Sequence, residues 1–227
     1  MNGILLIDKP SGWTSFDIVA KVRGILKHSG IKKPKVGHTG TLDPLATGLL
    51  VLVIGDYTKR AQDFSKLDKV YEVTMKLGET STTGDDEGEK THVSDKKPSQ
   101  DDVEVALAGF MGEIEQIPPK FSAIKVDGQR AYKLARAGKE VKLEPRKVTV
   151  YGLLVTDYGY PEVKFTAKVS SGTYIRTLVE DIGMNLNTGA YMTALCRSSV
   201  GEFSLDKAMK IKDVNEESVH KCLQTLS

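Results

Sequence analysis

Two hydrophobic periods alternate along the chain. ILLID (4–8) is a short unbroken apolar run that predicts a buried strand, ended by the turn sequence DKPSGWTS. Ile18, Val19, Val22, Ile25 and Leu26 then recur at helical spacing. They predict a helix capped by Thr14 or Ser15, with Lys21, Arg23 and Lys27 on its other face. LLVLVIG (49–55) reads as a strand covered on both faces, and a short helix follows near 57–66. In KVYEVTMKLG (69–78) Tyr71, Val73, Met75 and Leu77 alternate with Glu72, Thr74 and Lys76, the two-residue period of a strand with one buried face.

Residues 79–98 have the composition of a surface loop, and Ser99 caps a helix running to about Phe110. From Ile117 to Leu143 the chain is Pro-bounded and basic, with a short helical pattern in QRAYKLARAG (129–138) stopped by Gly138. KVTVYGLLVTDY and EVKFTAKVS predict an antiparallel pair, TYIRTLVEDIGMNL an amphipathic helix, AYMTALCRSSVG a strand, and the tail from Leu205 is mostly helical. Strands and helices mix without regular βαβ alternation. The expectation is one α+β domain over 1–227, a mixed, mostly antiparallel sheet flanked by helices, with 118–145 as an excursion from it.

Charge adds to this picture. The 227 residues carry a net charge of only +2, but its distribution is uneven. Lys21, Arg23, Lys27, Lys32, Lys33 and Lys35 occur with no acid among them, and nine Lys or Arg lie between Lys120 and Lys147 against Asp127, Glu140 and Glu144. Two basic segments in a near-neutral chain point to a polyanion bound on one face. Cys196 and Cys222 form no disulfide framework and read as reduced cytoplasmic thiols. No leader or membrane-spanning run is read. The phosphate-loop, dinucleotide and nucleophile-elbow motifs are all missing, and the four histidines and two cysteines lack metal spacing. Chemistry is therefore expected from ordinary side chains, with no cofactor and no metal.

GHTGTLDPLATG (37–48) places a single carboxylate, Asp43, in a constrained loop. Pro44 pushes Asp43 out of the helical region, and Gly40 and Gly48 allow tight turns or close approach by a ligand. A capped turn would also account for an arbitrary Asp-Pro. The whole string, however, resembles the catalytic motif of the TruB family of tRNA pseudouridine synthases, which isomerise the T-loop uridine. The resemblance extends along nearly the whole chain through NGILLIDKPSGWTS, KVYEVTMKLG, IPPKFSAIKVDGQRAYKLARAG, SSGTYIRTLVEDIG and GAYMTALCRSSVGEF, in that order.

The resemblance implies a pseudouridine synthase catalytic fold, and Asp43 as the catalytic aspartate. It implies Tyr71 stacked on the flipped base and Arg176 paired with the Asp43 carboxylate. His38 would wedge into the T loop, Tyr174 and Leu195 would line the uracil pocket, and Lys9 of the Lys9-Pro10 pair joins the substrate-binding set. The family's T-D-T-x-D-x-x-G loop here reads STTGDDEG, so Asp85 is the candidate target-site contact where Thr82 replaces an acid. Many relatives continue into an RNA-binding PUA domain, and this chain is expected to lack one.

The reaction breaks the N1–C1′ bond, turns the base and rejoins it through C5. A carboxylate either attacks as a nucleophile or removes a sugar proton, and a guanidinium partner holds such a group ionised and oriented. The implied partner is tRNA, gripped at the T-arm stem-loop through the basic segments, by a cytoplasmic monomer needing neither membrane nor protein partner. The alternative is a catalysis-independent tRNA-binding or tRNA-folding module using the same groove.

Overall fold

A computed structural model describes residues 1–120, 122, 124–126, 128–131, 134, 137 and 143–224. Its contacts divide the chain into two units, Met1–Glu72 with Leu195–Ser227, and Val73–Ala194. Among the described residues ten strands belong to a mixed sheet, and two further pairs of short strands stand apart from it.

The first unit is built on β1 (Gly3–Lys9) and β3 (Thr47–Ile54), antiparallel from Gly3↔Ile54 to Lys9↔Gly48. Between them in sequence come α1 (Ser15–His28) and β2 (Val36–His38), which pairs with the far half of β3. The apolar runs of β1 and β3 are covered on both faces, as their composition demands. On one face Leu5, Ile7, Leu50, Leu52 and Ile54 pack against Ile18, Val19, Val22 and Leu26 of α1. On the other, Ile4, Leu6, Leu49, Val51 and Val53 pack with Phe64 and Phe203. Phe64 belongs to α2 (Ala61–Ser65), which follows a 3-10 turn over Gly55–Arg60.

β4 (Lys69–Leu77) leads into the second unit, where β5 (Glu79–Ser81) and β6 (Lys90–His92) form a hairpin. α3 (Gln100–Ala108) carries a full capping box from Ser99 and Asp102. Then follow β7 (Gly112–Gln116), β8 (Lys125–Val126), β9 (Gln129–Arg130), β10 (Arg146–Gly159), β11 (Glu162–Val169) and α4 (Ile175–Asn185). The strand order here is β4-β11-β10-β7. β10 and β11 pair antiparallel with register shifts between Val150 and Gly152 and between Val155 and Asp157. Leu178, Val179 and Ile182 bury one face of α4, as the helical spacing predicted.

β12 (Ala190–Val200) returns the chain to the first unit and pairs parallel with β3 through Cys196↔Thr47 and Arg197↔Gly48. β13 (Phe203–Ser204), β14 (Met209–Lys210) and α5 (Glu216–Cys222) complete it, with β14 parallel to β1 and the unit's strands ordered β14-β1-β3-β12.

Two expectations need correction, and a third falls mostly outside the described residues. Residues 79–98 are more than a surface loop, because they include the β5–β6 hairpin and bury Ser81 and Asp85. The tail from Leu205 is a mixture of 3-10 turns, the short β14 and one helix. Most of the helical pattern at 129–138 lies outside the described residues, and its first two residues form β9.

Candidate active site

In the first unit the loop 39–46 is fastened from four directions. At its start, the Thr39 N–H and hydroxyl both donate to the Val51 carbonyl, at 3.1 and 3.3 Å. From α1, the buried Ser15 hydroxyl accepts from the Leu42 N–H at 2.8 Å and donates to the Leu42 carbonyl at 3.0 Å. The turn after β1 supplies the Gly12 N–H to the Pro44 carbonyl at 2.8 Å. From β12, Arg197 donates through Nη2 to the Gly40 carbonyl at 3.0 Å and through Nε to the Leu49 carbonyl at 2.8 Å. Asp43 closes its own turn by accepting the Ala46 N–H at 3.1 Å through its carbonyl. Its side chain, half-buried, is thus mounted on an immobilised main chain.

Lys9 ends β1 directly beneath this loop. It is 0% exposed, and its ammonium donates to the carbonyls of Trp13 (2.7 Å), Pro10 (3.0 Å) and Pro44 (3.3 Å). These three contacts tie the Lys9 ammonium to the turn after β1 and to the loop of Asp43. Burial pulls its amine down to about 8, against the field of Asp43 and with that of Arg197. Tyr71 lies on β4 with 8% of its surface exposed, His38 ends β2 half-buried, and Leu195 on β12 accepts the Thr47 hydroxyl at 3.3 Å through its carbonyl.

The second unit gathers a different set. Arg176 sits in the first turn of α4, where the helix dipole disfavours a cation. Buried Asp85 offsets this with an ion pair at 3.6 Å, and the Thr83 carbonyl accepts from Nη1 at 3.2 Å. Asp85 is itself held by the Thr83 hydroxyl at 2.5 Å and the Glu87 N–H at 3.1 Å. Glu180, one helical turn beyond Arg176, has its carboxyl pushed up chiefly by burial, with Asp181 raising it further and Arg176 opposing. Tyr174, the residue before α4, is clamped at its backbone by the buried Gln116 amide, which accepts its N–H at 3.0 Å and donates to its carbonyl at 3.3 Å. Among the described residues no group of three His, Cys, Asp or Glu side chains converges as metal ligands.

Residues 27–175 match the model of the TruB family pseudouridylate synthase N-terminal domain, and 176–225 that of the tRNA pseudouridylate synthase B C-terminal domain. This chain belongs to the TruB family. It is 43% identical to the tRNA pseudouridine synthase B of Cupriavidus metallidurans over 96% of its length and 68% of that protein. Its identity to the Pseudomonas aeruginosa enzyme of the same name is 46%, over 97% of this chain and 70% of that one. Among solved structures, a chain of a Cbf5-Nop10-Gar1 complex superposes with a TM-score of 0.75 at 28% identity, covering 98% of this chain and 59% of that one. A crystal structure of a pseudouridylate synthase, at 16% identity and TM-score 0.50, covers 98% of this chain and 74% of that one, and agrees in fold.

Within this TruB-family chain, sequence reasoning missed Ser15 and Arg197. The signal for Arg197 was present in Gly40 and Gly48, read as points of close approach. A Cβ on Gly40 would lie 3.3 Å from Arg197 Nη1, and one on Gly48, at φ +96°, would lie 2.8 Å from the Arg197 nitrogen. What approaches the loop so closely is this arginine.

Proposed function

We propose that this TruB-family chain isomerises the T-loop uridine of tRNA, position 55, to pseudouridine, with Asp43 as the catalytic carboxylate acting at the sugar. The N1–C1′ bond breaks, the base turns, C5 bonds to C1′, and the C5 proton is lost while N1 gains one, so no co-reactant is consumed. The observation that carries the reading is the loop 39–46, whose backbone is fixed around Asp43 by hydrogen bonds from Ser15, Gly12 and Arg197. Such rigidity gives little to folding that a shorter turn would not give. It serves a group that must meet a reacting atom at a set distance. The family and the named relatives support the substrate class.

In this proposal Tyr71 stacks beneath the extruded uracil, a contact worth ~1–3 kcal/mol per base. Arg176 pairs with the Asp43 carboxylate, Tyr174 and Leu195 line the base pocket, and His38 enters the T loop. Asp85 contacts the target site and orients Arg176 through their ion pair. The basic segments 21–35 and 118–145 hold the T-arm by its phosphates, and a monomer suffices without a protein partner.

Purified protein incubated with a bare T-stem-loop carrying 5-tritiated uridine should release tritium from the T-loop position alone. Asp43→Asn should abolish release while retaining most of the RNA affinity. Product from Asp43→Asn would refute the catalytic assignment, and modification of another loop would refute the substrate.

A further inference from the structure

We propose that Arg197 is a positioning residue for Asp43, its guanidinium holding both ends of the carboxylate's loop at one separation. The inference rests on the reading of Asp43 as the catalytic group and extends it to a residue that acts through the loop.

Arg197 is 2% exposed, among the largest fully buried side chains of the protein. The two carbonyls it engages, those of Gly40 and Leu49, bracket Asp43 in the chain. Its guanidinium lies so close to Gly40 that a Cβ there would meet Nη1 at 3.3 Å. Its backbone is in register with Gly48, where the loop enters β3. One residue therefore touches the loop through side chain and main chain together.

Folding alone gives no reason for a charge at this place. Taking an ion out of water is costly, and replacing buried charged groups by apolar ones of similar volume is often neutral or stabilising. A methionine would fill the same space between β12 and the loop. What it would not do is span two carbonyls. The planar guanidinium presents donors in a rigid fork, whereas an ammonium is a single point on a flexible stem. Arg197 also adds to the local positive field, since its charge contributes to the lowered amines of both Lys9 and Lys69. Lys9 and Arg197 both donate to the loop that carries Asp43, whose own field opposes the lowering at Lys9.

The test compares single-turnover tritium release and KM on T-arm RNA for wild type, Arg197→Lys, Arg197→Met, Gly40→Ala and Asp43→Asn, with thermal unfolding of each. Arg197→Met should lower the single-turnover rate on the order of 10²-fold, the cost of a misplacement near 1 Å, with KM nearly unchanged. Arg197→Lys should recover part of that loss. Gly40→Ala keeps the charge but crowds the guanidinium, and should slow turnover in the same direction. If Arg197→Met does not fold, the lysine and Gly40 variants decide. Normal turnover in the folded variants, or a rise in KM alone, overturns the proposal. When Asp43→Asn is dead and the other variants are normal, only the positioning role fails. Product from Asp43→Asn removes the catalytic reading and this inference together.

Discussion

Replacing Ser15 by alanine removes one oxygen atom and should unsettle the whole loop. The Ser15 hydroxyl is buried, accepts the Leu42 N–H at 2.8 Å and returns its own proton to the Leu42 carbonyl at 3.0 Å. Leu42 is also buried, so in Ser15→Ala both of its backbone groups lose that partner away from water. An orphaned buried donor or acceptor costs about 1–3 kcal/mol, which puts the total for the two groups near 2–6 kcal/mol. For a protein of this size, each kcal/mol shifts the melting point by about 2–4 °C. Urea unfolding with a constant m-value measures the loss directly. Thr14→Ala supplies the control, because Thr14 caps the same helix without touching Leu42, and its loss should cost only ~1 kcal/mol. Ser15→Ala should in addition slow pseudouridine formation in the folded protein, and Thr14→Ala should not. Equal stability losses for the two variants, or unchanged turnover in Ser15→Ala, would refute the idea that α1 fastens the loop.

Other outcomes follow from the same geometry. Asp85→Asn removes the buried Arg176–Asp85 ion pair, and breaking such a pair costs roughly 3–5 kcal/mol, readable by denaturant melts. The Lys69 amine, given to the carbonyls of Ser65 and Leu67, is lowered by burial to about 8. Its charge therefore costs stability in full below pH 8, and the cost lifts as pH rises to 10.5. Wild type should gain about 3 kcal/mol relative to Lys69→Met over that interval, measured as paired urea curves. Burial alone raises the Asp181 carboxyl, so its ionisation opposes folding at neutral pH. Asp181→Asn should stabilise the protein there, and the gain should vanish in acid below the unfolded carboxylate range. Removing Lys21, Arg23 or Lys27 should weaken T-arm binding for all stem sequences and flatten its salt dependence by about 0.7–0.9 in log–log slope per lost phosphate contact.

The strands were legible where burial and hydropathy agree. Alternation in β4 picked out Tyr71, Val73, Met75 and Leu77, and all four are buried. The same alternation put Lys69 on that face without saying so, because a period test treats lysine as solvent-facing. Its burial depends on two carbonyls of the preceding turn that fold back to meet it. Asp85 was named through the family resemblance, but its burial was hidden for a related reason. STTGDDEG has the composition of a surface loop, but its polar atoms satisfy one another and Arg176, so they enter the interior paired. Asp43 was prominent through its motif, whereas Ser15 and Arg197 reach the loop from distant parts of the chain, and the one trace of either meeting is the room that Gly40 and Gly48 leave for Arg197.

The closing of the first unit has a bearing on biosynthesis. Ile4 exchanges backbone hydrogen bonds with Gln224 at 2.8 and 2.9 Å, β1 receives β14 along its edge, and β12 lies along β3. A nascent chain emerging from the ribosome at about 5–20 residues per second makes the loop of Asp43 about 150 residues before Arg197, and must wait for β12 before that arginine can seize it. Until then the loop lacks its Gly40 and Leu49 anchors, and they arrive together with a single side chain.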